Sequence, residues 1–393
     1  VTTALAQAFG EGQGLQTGFT ERLQVEVAET LCRQTGAERV RFTTSGTLAT
    51  MYAILLARAF TGREWVLKVG GGWHGAQPWG LKGVRFHGAD GYGLVETPGL
   101  PPSCDAQVLV TRFNDPDALC SAFQRHGDGI ACFIVEPFVG GGGLIPATGE
   151  YLHTARQLTE EYGVVLIFDE VISGFRFHAG AVGSLYGIQA DLMALGKAIG
   201  GGMPLAAVAG RGAILDQAGR GARNKVGRGA RPKVGREARP QVWFNGGTYS
   251  GHPACLLAAK AMLTYLVEHQ DRVYPRLAEL GQQARLAVER ALAEEGIYAR
   301  CTGYPNDVLP GSSLAQVNFP YDEGHELLHP EDVNDPTRCD VVLRDSVFRL
   351  AMLLEDVNVA HGLGALSTAH HGREVDLLAE ACRRAGRRIK GYL

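Results

Sequence analysis

An α/β fold is what three features of this sequence predict: a mostly parallel central sheet with helices on both faces, plus a smaller C-terminal α+β domain. Val164-Val-Leu-Ile-Phe168 is a continuous apolar, β-rich run, the pattern of a strand buried on both faces. It ends in two acids, Asp169 and Glu170, where open α/β sheets place their ligand crevice. Helical and strand-like segments alternate from Phe19 to about Leu266, as a parallel sheet requires.

The elements follow in order. Phe42-Thr-Thr-Ser-Gly-Thr47 runs into Leu48–Ala57, a good helical stretch, and Gly70-Gly-Gly-Trp-His-Gly75 is a glycine-rich turn. Ile130–Val135, Val164–Phe168 and Ala206–Ala209 are strand candidates for the sheet. A helix from near Ala254 to about His269 is expected to leave the large domain. Beyond it lie a helix over Arg276–Glu295, a strand over Ala315–Phe319 and a C-terminal helix from about Glu374. The Asn, Pro and acid cluster from Tyr321 to Asp340 reads as a surface loop. The boundaries are a large domain over 1–268, with a low-complexity insertion at about 217–241, and a small domain over 269–393.

Composition bounds the function. At 393 residues, 45% hydrophobic and 20% charged, the chain is globular and long enough for two domains. A net charge of −3 gives no general attraction to nucleic acid or to an anionic membrane. The eight cysteines form no C-x-x-C pair and lie mostly in apolar contexts, so they read as reduced thiols of a cytoplasmic protein. No signal peptide and no apolar run of membrane-spanning length is present.

The chemistry is carried by Asp169 and by Lys197, which sits in Leu192-Met-Ala-Leu-Gly-Lys-Ala-Ile199, a setting too apolar for an ordinary surface lysine. Desolvation lowers a lysine pKa and leaves a neutral amine that attacks a carbonyl. An acid at a strand end and such a lysine are what pyridoxal 5′-phosphate requires: a Schiff base to the amine, and a carboxylate that keeps the pyridine nitrogen protonated. An apolar run ending in Asp-Glu also describes the Mg-binding strand of P-loop NTPases. That reading fails, because Gly196-Lys197 is followed by Ala198 and Asp191 stands where the first glycine belongs. Ser45-Gly46-Thr47 opens a helix, offering free amides, hydroxyls and the positive dipole end to a phosphate. Trp73, in its glycine-rich turn, is placed to lie on a flat ring.

Together with Val135-Glu-Pro137, Asp169-Glu-Val-Ile-Ser-Gly-Phe-Arg176, Gly196–Pro204 and Gly246-Gly-Thr-Tyr-Ser-Gly-His-Pro253, these motifs resemble the class III aminotransferases of pyridoxal phosphate fold type I. The nearest likeness is to the glutamate-1-semialdehyde aminomutase and β-amino-acid aminotransferase branch, in order from about Val1 to Leu393. The resemblance implies that Lys197 forms the Schiff base and Asp169 pairs with the pyridine nitrogen. It implies that Ser45, Gly46 and Thr47 cradle the phosphate, that Trp73 stacks on one ring face and that Val171 packs on the other. His74 and Glu136 support the ring's surroundings, and Thr248 reaches the phosphate of the neighbouring subunit, which makes a homodimer part of the site.

Two departures from that family stand out. The chain starts at Val1, roughly where the family already has its N-terminal arm and first small strands behind it, which favours a fragment or an alternative start codon. Arg220-Gly-Ala-Arg-Asn-Lys-Val-Gly227 repeats, with decay, as Arg228–Gly235 and Arg236–Trp243. Its Gly, Pro and Arg content favours an inert insertion over a basic arm for nucleic acid.

On substrate, the segment Ala360–His370 is short and lacks the acid of the aminomutase, and Gly140–Gly143 replaces larger polar residues, implying a roomier pocket beside the ring. Both favour amino transfer between an amino acid, possibly a β-amino acid, and a 2-oxo acid. The alternatives are the 2,1-aminomutase and a catalytically silent homologue.

Overall fold

The computed structural model describes residues 1–12, 17–219, 242–359 and 363–391. The basic repeat beginning at Arg220 and positions 360–362 lie outside the described residues.

Helices α1 (Thr2–Gly10) and α2 (Arg22–Thr35) lead into β1 (Arg39–Thr43) and α3 (Gly46–Thr61). Then come β2 (Trp65–Val69), α4 (Pro102–Ala106), β3 (Val108–Thr111), α5 (Pro116–His126) and β4 (Ile130–Val135). A short hairpin, β5 (Phe138–Val139) and β6 (Ile145–Pro146), precedes α6 (Gly149–Glu161) and β7 (Val165–Glu170). Strands β8 (Leu192–Leu195) and β9 (Ala206–Gly210) complete the central sheet. After α7 (Gly212–Leu215) and the pair β10 (Ala218–Gly219) and β11 (Val242–Trp243), the long α8 (Pro253–Glu268) and α9 (Gln270–Glu294) follow. The C-terminal part holds β12 (Arg300–Thr302), β13 (Leu314–Asn318), α10 (Pro330–Asn334), α11 (Arg349–Leu353), β14 (Leu363–Ala365) and α12 (Gly372–Ile389).

The central sheet has seven strands in the order β1-β9-β8-β7-β4-β2-β3. The run from β8 to β3 is parallel throughout, and β9 is antiparallel to both of its neighbours. The expected architecture is therefore present, with one reversed strand. Alternation along the strands shows why apolar runs were needed. On β7, Leu166 and Phe168 enter one core while Val165 and Ile167 enter the other. On β4, Phe133 and Val135 face the first core, Cys132 and Ile134 the second. Helix α3 covers one face with Ala49, Ala53, Ile54 and Leu56; α2, α6 and α8 cover the other with Leu31, Leu152, Leu256 and Leu263. A fully buried side chain such as Phe168 contributes about 1.5–3 kcal/mol.

Strands β12, β13 and β14 form a separate antiparallel sheet. Its core joins Val288 and Leu292 of α9 to Phe319, Phe348, Met352 and, on α12, Cys382 and Ile389. Two expectations shift here. The helix read from Arg276 begins at Gln270 and keeps Pro275 inside, and Val273 and Tyr274 on that extra turn are buried in the main core. Their burial offsets the amide that Pro275 lacks. The stretch read as a loop from Tyr321 to Asp340 contains α10, where Asp332 accepts from the amides of Leu328 and His329. Among the described residues no helix is long and apolar enough to cross a membrane.

Candidate active site

Strand β7 extends through Asp169 and Glu170, and its pleat sends the two acids to opposite faces. Asp169 is buried; its Oδ2 is 2.8 Å from Nδ1 of His74, and its Oδ1 accepts from the amide of Val171 at 3.1 Å. A carboxylate only accepts, so the bond places a proton on Nδ1 of His74. Burial pushes the imidazole pKa down, against the pull of Asp169, which leaves the ring neutral with Nε2 bare; that atom has no partner among the described residues. Glu170 instead accepts from the amides of Val182 and Gly183 and serves the scaffold.

Helix α3 begins between β1 and this strand end. Ser45 is its N-cap, taking the amide of Leu48 on its hydroxyl at 3.3 Å. The amides of Gly46 and Thr47 have no partner among the described residues, which leaves two donors at the positive end of a 16-residue helix. A Cβ on Gly46 would come within 2.8 Å of Val171, so glycine is what lets this helix end approach the pocket floor.

The turn after β2 supplies the opposite wall. The amide of Trp73 donates to Oε1 of Glu136 at 2.9 Å, and Oε2 of Glu136 takes the amide of Gly140 at 2.9 Å. Burial, and then the Asp169 charge, push the Glu136 carboxyl well above its ordinary range. The hydroxyl of Thr50 on α3 donates to the carbonyl of His74 at 2.6 Å, locking turn to helix.

Lys197 follows β8 as the first residue of a 3₁₀ turn, in the left-handed region at φ 42°. A non-glycine residue held there stores strain of the sort that clusters at functional sites. Its strand is buried, as expected, but its own side chain is accessible through the pocket mouth, so the lysine is less enclosed than its apolar neighbours imply. The surrounding protein still lowers its pKa by desolvation, opposed by the charges of Asp169 and Glu136.

Nine of the ten expected residues line one cavity of about 320 Å³: Ser45, Gly46, Thr47, Trp73, His74, Glu136, Asp169, Val171 and Lys197. Thr248 does not. It is exposed on a turn and lines a neighbouring cleft with Arg41, Phe244 and Gly247. The cavity also takes in Thr44, Thr50, Gly75, Ile172, Met203, Pro204 and Leu205. Met203 and Pro204 close the Gly196–Pro204 motif and were findable from it; Thr50 lay one helical turn past the motif and carried no signal of its own.

Pyridoxal phosphate fits this donor set. Two free helix amides and the Ser45 and Thr47 hydroxyls suit a phosphate, a buried carboxylate with spare lone pairs suits a protonated ring nitrogen, and an accessible amine suits an aldehyde. Among the described residues no cluster of His, Cys, Asp or Glu is placed to hold a metal ion.

The expectation of extra room at Gly140–Gly143 fails at three of the four positions. A Cβ on Gly140 would lie 2.1 Å from Ile172, on Gly142 2.8 Å from the carbonyl of Gly71, and on Gly143 2.5 Å from Val333. Gly140, Gly142 and Gly143 therefore admit close packing, whereas a Cβ on Gly141 would meet only the Cβ of Trp73 at an ordinary 3.4 Å, so room is kept at that one position.

Residues 1–298 match the family model described as Aminotransferase class-III. Over 377 residues the chain is 33% identical to the glutamate-1-semialdehyde 2,1-aminomutase of Thermomicrobium roseum, covering 95% of this chain and 79% of that one. It spans 58–70% of the length of further relatives bearing that name. Among solved structures, an omega-transaminase from Sphaerobacter thermophilus superposes with a TM-score of 0.80 at 29% identity, over 98% of this chain and 82% of that one. A transaminase with pyridoxal phosphate bound gives 0.79 at 27% identity, over 100% and 82%.

Proposed function

The chain belongs to the class-III aminotransferases, enzymes that use pyridoxal phosphate, and we propose that it is a 2,1-aminomutase acting on glutamate 1-semialdehyde or a close amino-aldehyde. The carrying observation is the 33% identity to a mutase of that name over 95% of the chain.

When bound, the cofactor acts as an electron sink that acidifies the carbon bearing the amino group. Lys197 Nζ would take the proton from that carbon and return it one position away. Asp169, aligned by His74 and the Val171 amide, would hold the proton on the ring nitrogen. The amides of Gly46 and Thr47, with the Ser45 and Thr47 hydroxyls, would hold the phosphate, and Trp73 and Val171, which line the same cavity, would pack against the ring. Mutase and transferase share all these steps. They differ in whether the carbonyl that receives nitrogen belongs to the same substrate molecule.

A second reading, amino transfer from an α- or β-amino acid to a 2-oxo acid, is supported by the likeness at 27–29% identity to structures named transaminases. Supplying glutamate 1-semialdehyde with no 2-oxo acid separates the two. The mutase forms the isomeric 5-amino-4-oxo acid stoichiometrically; an absolute requirement for a 2-oxo acid acceptor supports the transferase instead.

We also propose a cytoplasmic homodimer in which each chain divides into a large and a small domain at about 268/269. Thr248 supports the dimer: it is exposed and lies outside its own chain's cavity, next in sequence to the exposed Tyr249. Sedimentation showing a fully active monomer would refute the dimer.

A further inference from the structure

Lys68 belongs to no part of the pocket lining, yet it is a charge sealed inside the central sheet. It is the fourth residue of β2, fully buried, and among the described residues it has no carboxylate within ion-pair distance. Burying an ammonium is among the costliest events in folding unless every N–H is met. Here each is. Nζ donates to the carbonyls of Gly72 at 2.8 Å, Gly80 at 3.3 Å and Lys82 at 2.7 Å. Three donors meet three acceptors, which only the protonated amine provides.

All three acceptors belong to the turn that leaves β2, and Trp73 and His74 lie between the first and the second. The Gly72–Trp73 peptide is held from both sides: its carbonyl by Lys68, its amide by Glu136 at 2.9 Å. His74 is fixed in turn by Thr50 and Asp169. We propose that Lys68 is a positioning residue, a buried ammonium that clamps the Gly70–Lys82 turn and so sets Trp73 and His74 against the cofactor. The charged and titratable groups around it are Glu136, Glu96 and Asp169, which favour the ammonium, and His74, whose own protonation Lys68 disfavours; burial outweighs the acids and brings the amine down to about 7. A neutral amine keeps two N–H donors, so one carbonyl is released once the proton is lost.

The inference rests on assigning the Trp73–His74 turn to the cofactor, and exchange measured on cofactor-free protein reads the clamp independently of that assignment. In Lys68→Met, amides of the 70–82 turn exchange about tenfold faster or more, as expected for a lost charge-assisted hydrogen bond, while α3 and β7 exchange as before. Binding of pyridoxal phosphate weakens by a similar factor, and Lys68→Gln, with two donors left, falls between. Unchanged turn exchange, loss of protection across the whole molecule, or faster turn exchange with unchanged cofactor affinity would each overturn the proposal. If neither variant folds, the unmodified protein is compared on either side of about pH 7 after correction for intrinsic rates. The 70–82 amides then lose protection relative to β4 as pH rises, and a constant ratio overturns the clamp.

Discussion

Replacing Gly75 with alanine tests how closely the turn and the phosphate-facing helix are fitted together. Gly75 sits at φ 81°, where an L side chain is strained by about 1–2 kcal/mol. Its Cβ would lie 2.4 Å from Oγ1, 2.7 Å from Cα and 2.8 Å from Cβ of Thr47. Two of those atoms are fixed to the second residue of α3, so rotating a side chain does not relieve the clash. Overpacking of this kind adds about 1–3 kcal/mol, for a total loss of about 2–5 kcal/mol. Against an overall stability of about 5–15 kcal/mol the variant still folds. Relief requires the first turn of α3 to retreat, which carries the Gly46 and Thr47 amides away from the phosphate. Each charge-assisted hydrogen bond there is worth about 1.5–3 kcal/mol, so affinity for pyridoxal phosphate falls at least about tenfold. Denaturant unfolding of cofactor-free protein and equilibrium titration with the cofactor measure the two effects separately. A variant within about 0.5 kcal/mol of the parent, the range of an inconsequential surface change, and with unaltered affinity, would refute the fitted-cradle argument.

Three further outcomes follow from the same geometry. Asp169→Asn retains cofactor but loses most turnover, because a neutral amide no longer favours the protonated ring nitrogen; full activity in steady-state assays would contradict this. Ser45→Ala removes the α3 cap and costs about 1 kcal/mol in unfolding experiments, with weaker phosphate binding besides. Glu170 is buried, and burial raises its pKa from the ordinary 4.5 to about 7. The folded state thus holds this proton more tightly than the unfolded chain does. Its stabilising contribution is complete below pH 4.5 and is lost as pH rises through about 7. Relative to Glu170→Gln, the parent therefore loses roughly 3 kcal/mol across that window. Unfolding free energies of the pair that stay parallel from acid to neutral pH would show the shift is absent.

The fold was readable where local pattern and tertiary burial agree. Val164–Phe168 and Ile130–Val135 are apolar on both alternations because both faces of the sheet are covered, and the observed strands differ from the expected ones by a residue or two. Helix α9 was misjudged at its start because Pro275 reads as a boundary; only the core that receives Val273 and Tyr274 shows why the helix continues through it. In the candidate site, residues whose chemistry is explicit in short motifs, Lys197, Asp169 and Ser45–Thr47, were legible in the sequence and line one cavity. Those whose role depends on what the fold brings near were not. Lys68 looks like any strand lysine until its three carbonyl partners are in place. Gly140 and Gly143 read as open space until Ile172 and Val333 are seen filling it.

The claim that Lys197 is the residue joined to the cofactor is tested most directly by reducing the loaded protein with borohydride and mapping the labelled peptide. Two lysines with depressed pKa compete for that role: Lys197 in the cavity, and Lys68, sealed in the sheet. The structure predicts stoichiometric pyridoxyl label on the peptide containing Lys197 and none on that containing Lys68. Label on Lys68, or an unlabelled Lys197 in a protein that still binds the cofactor, would contradict the account.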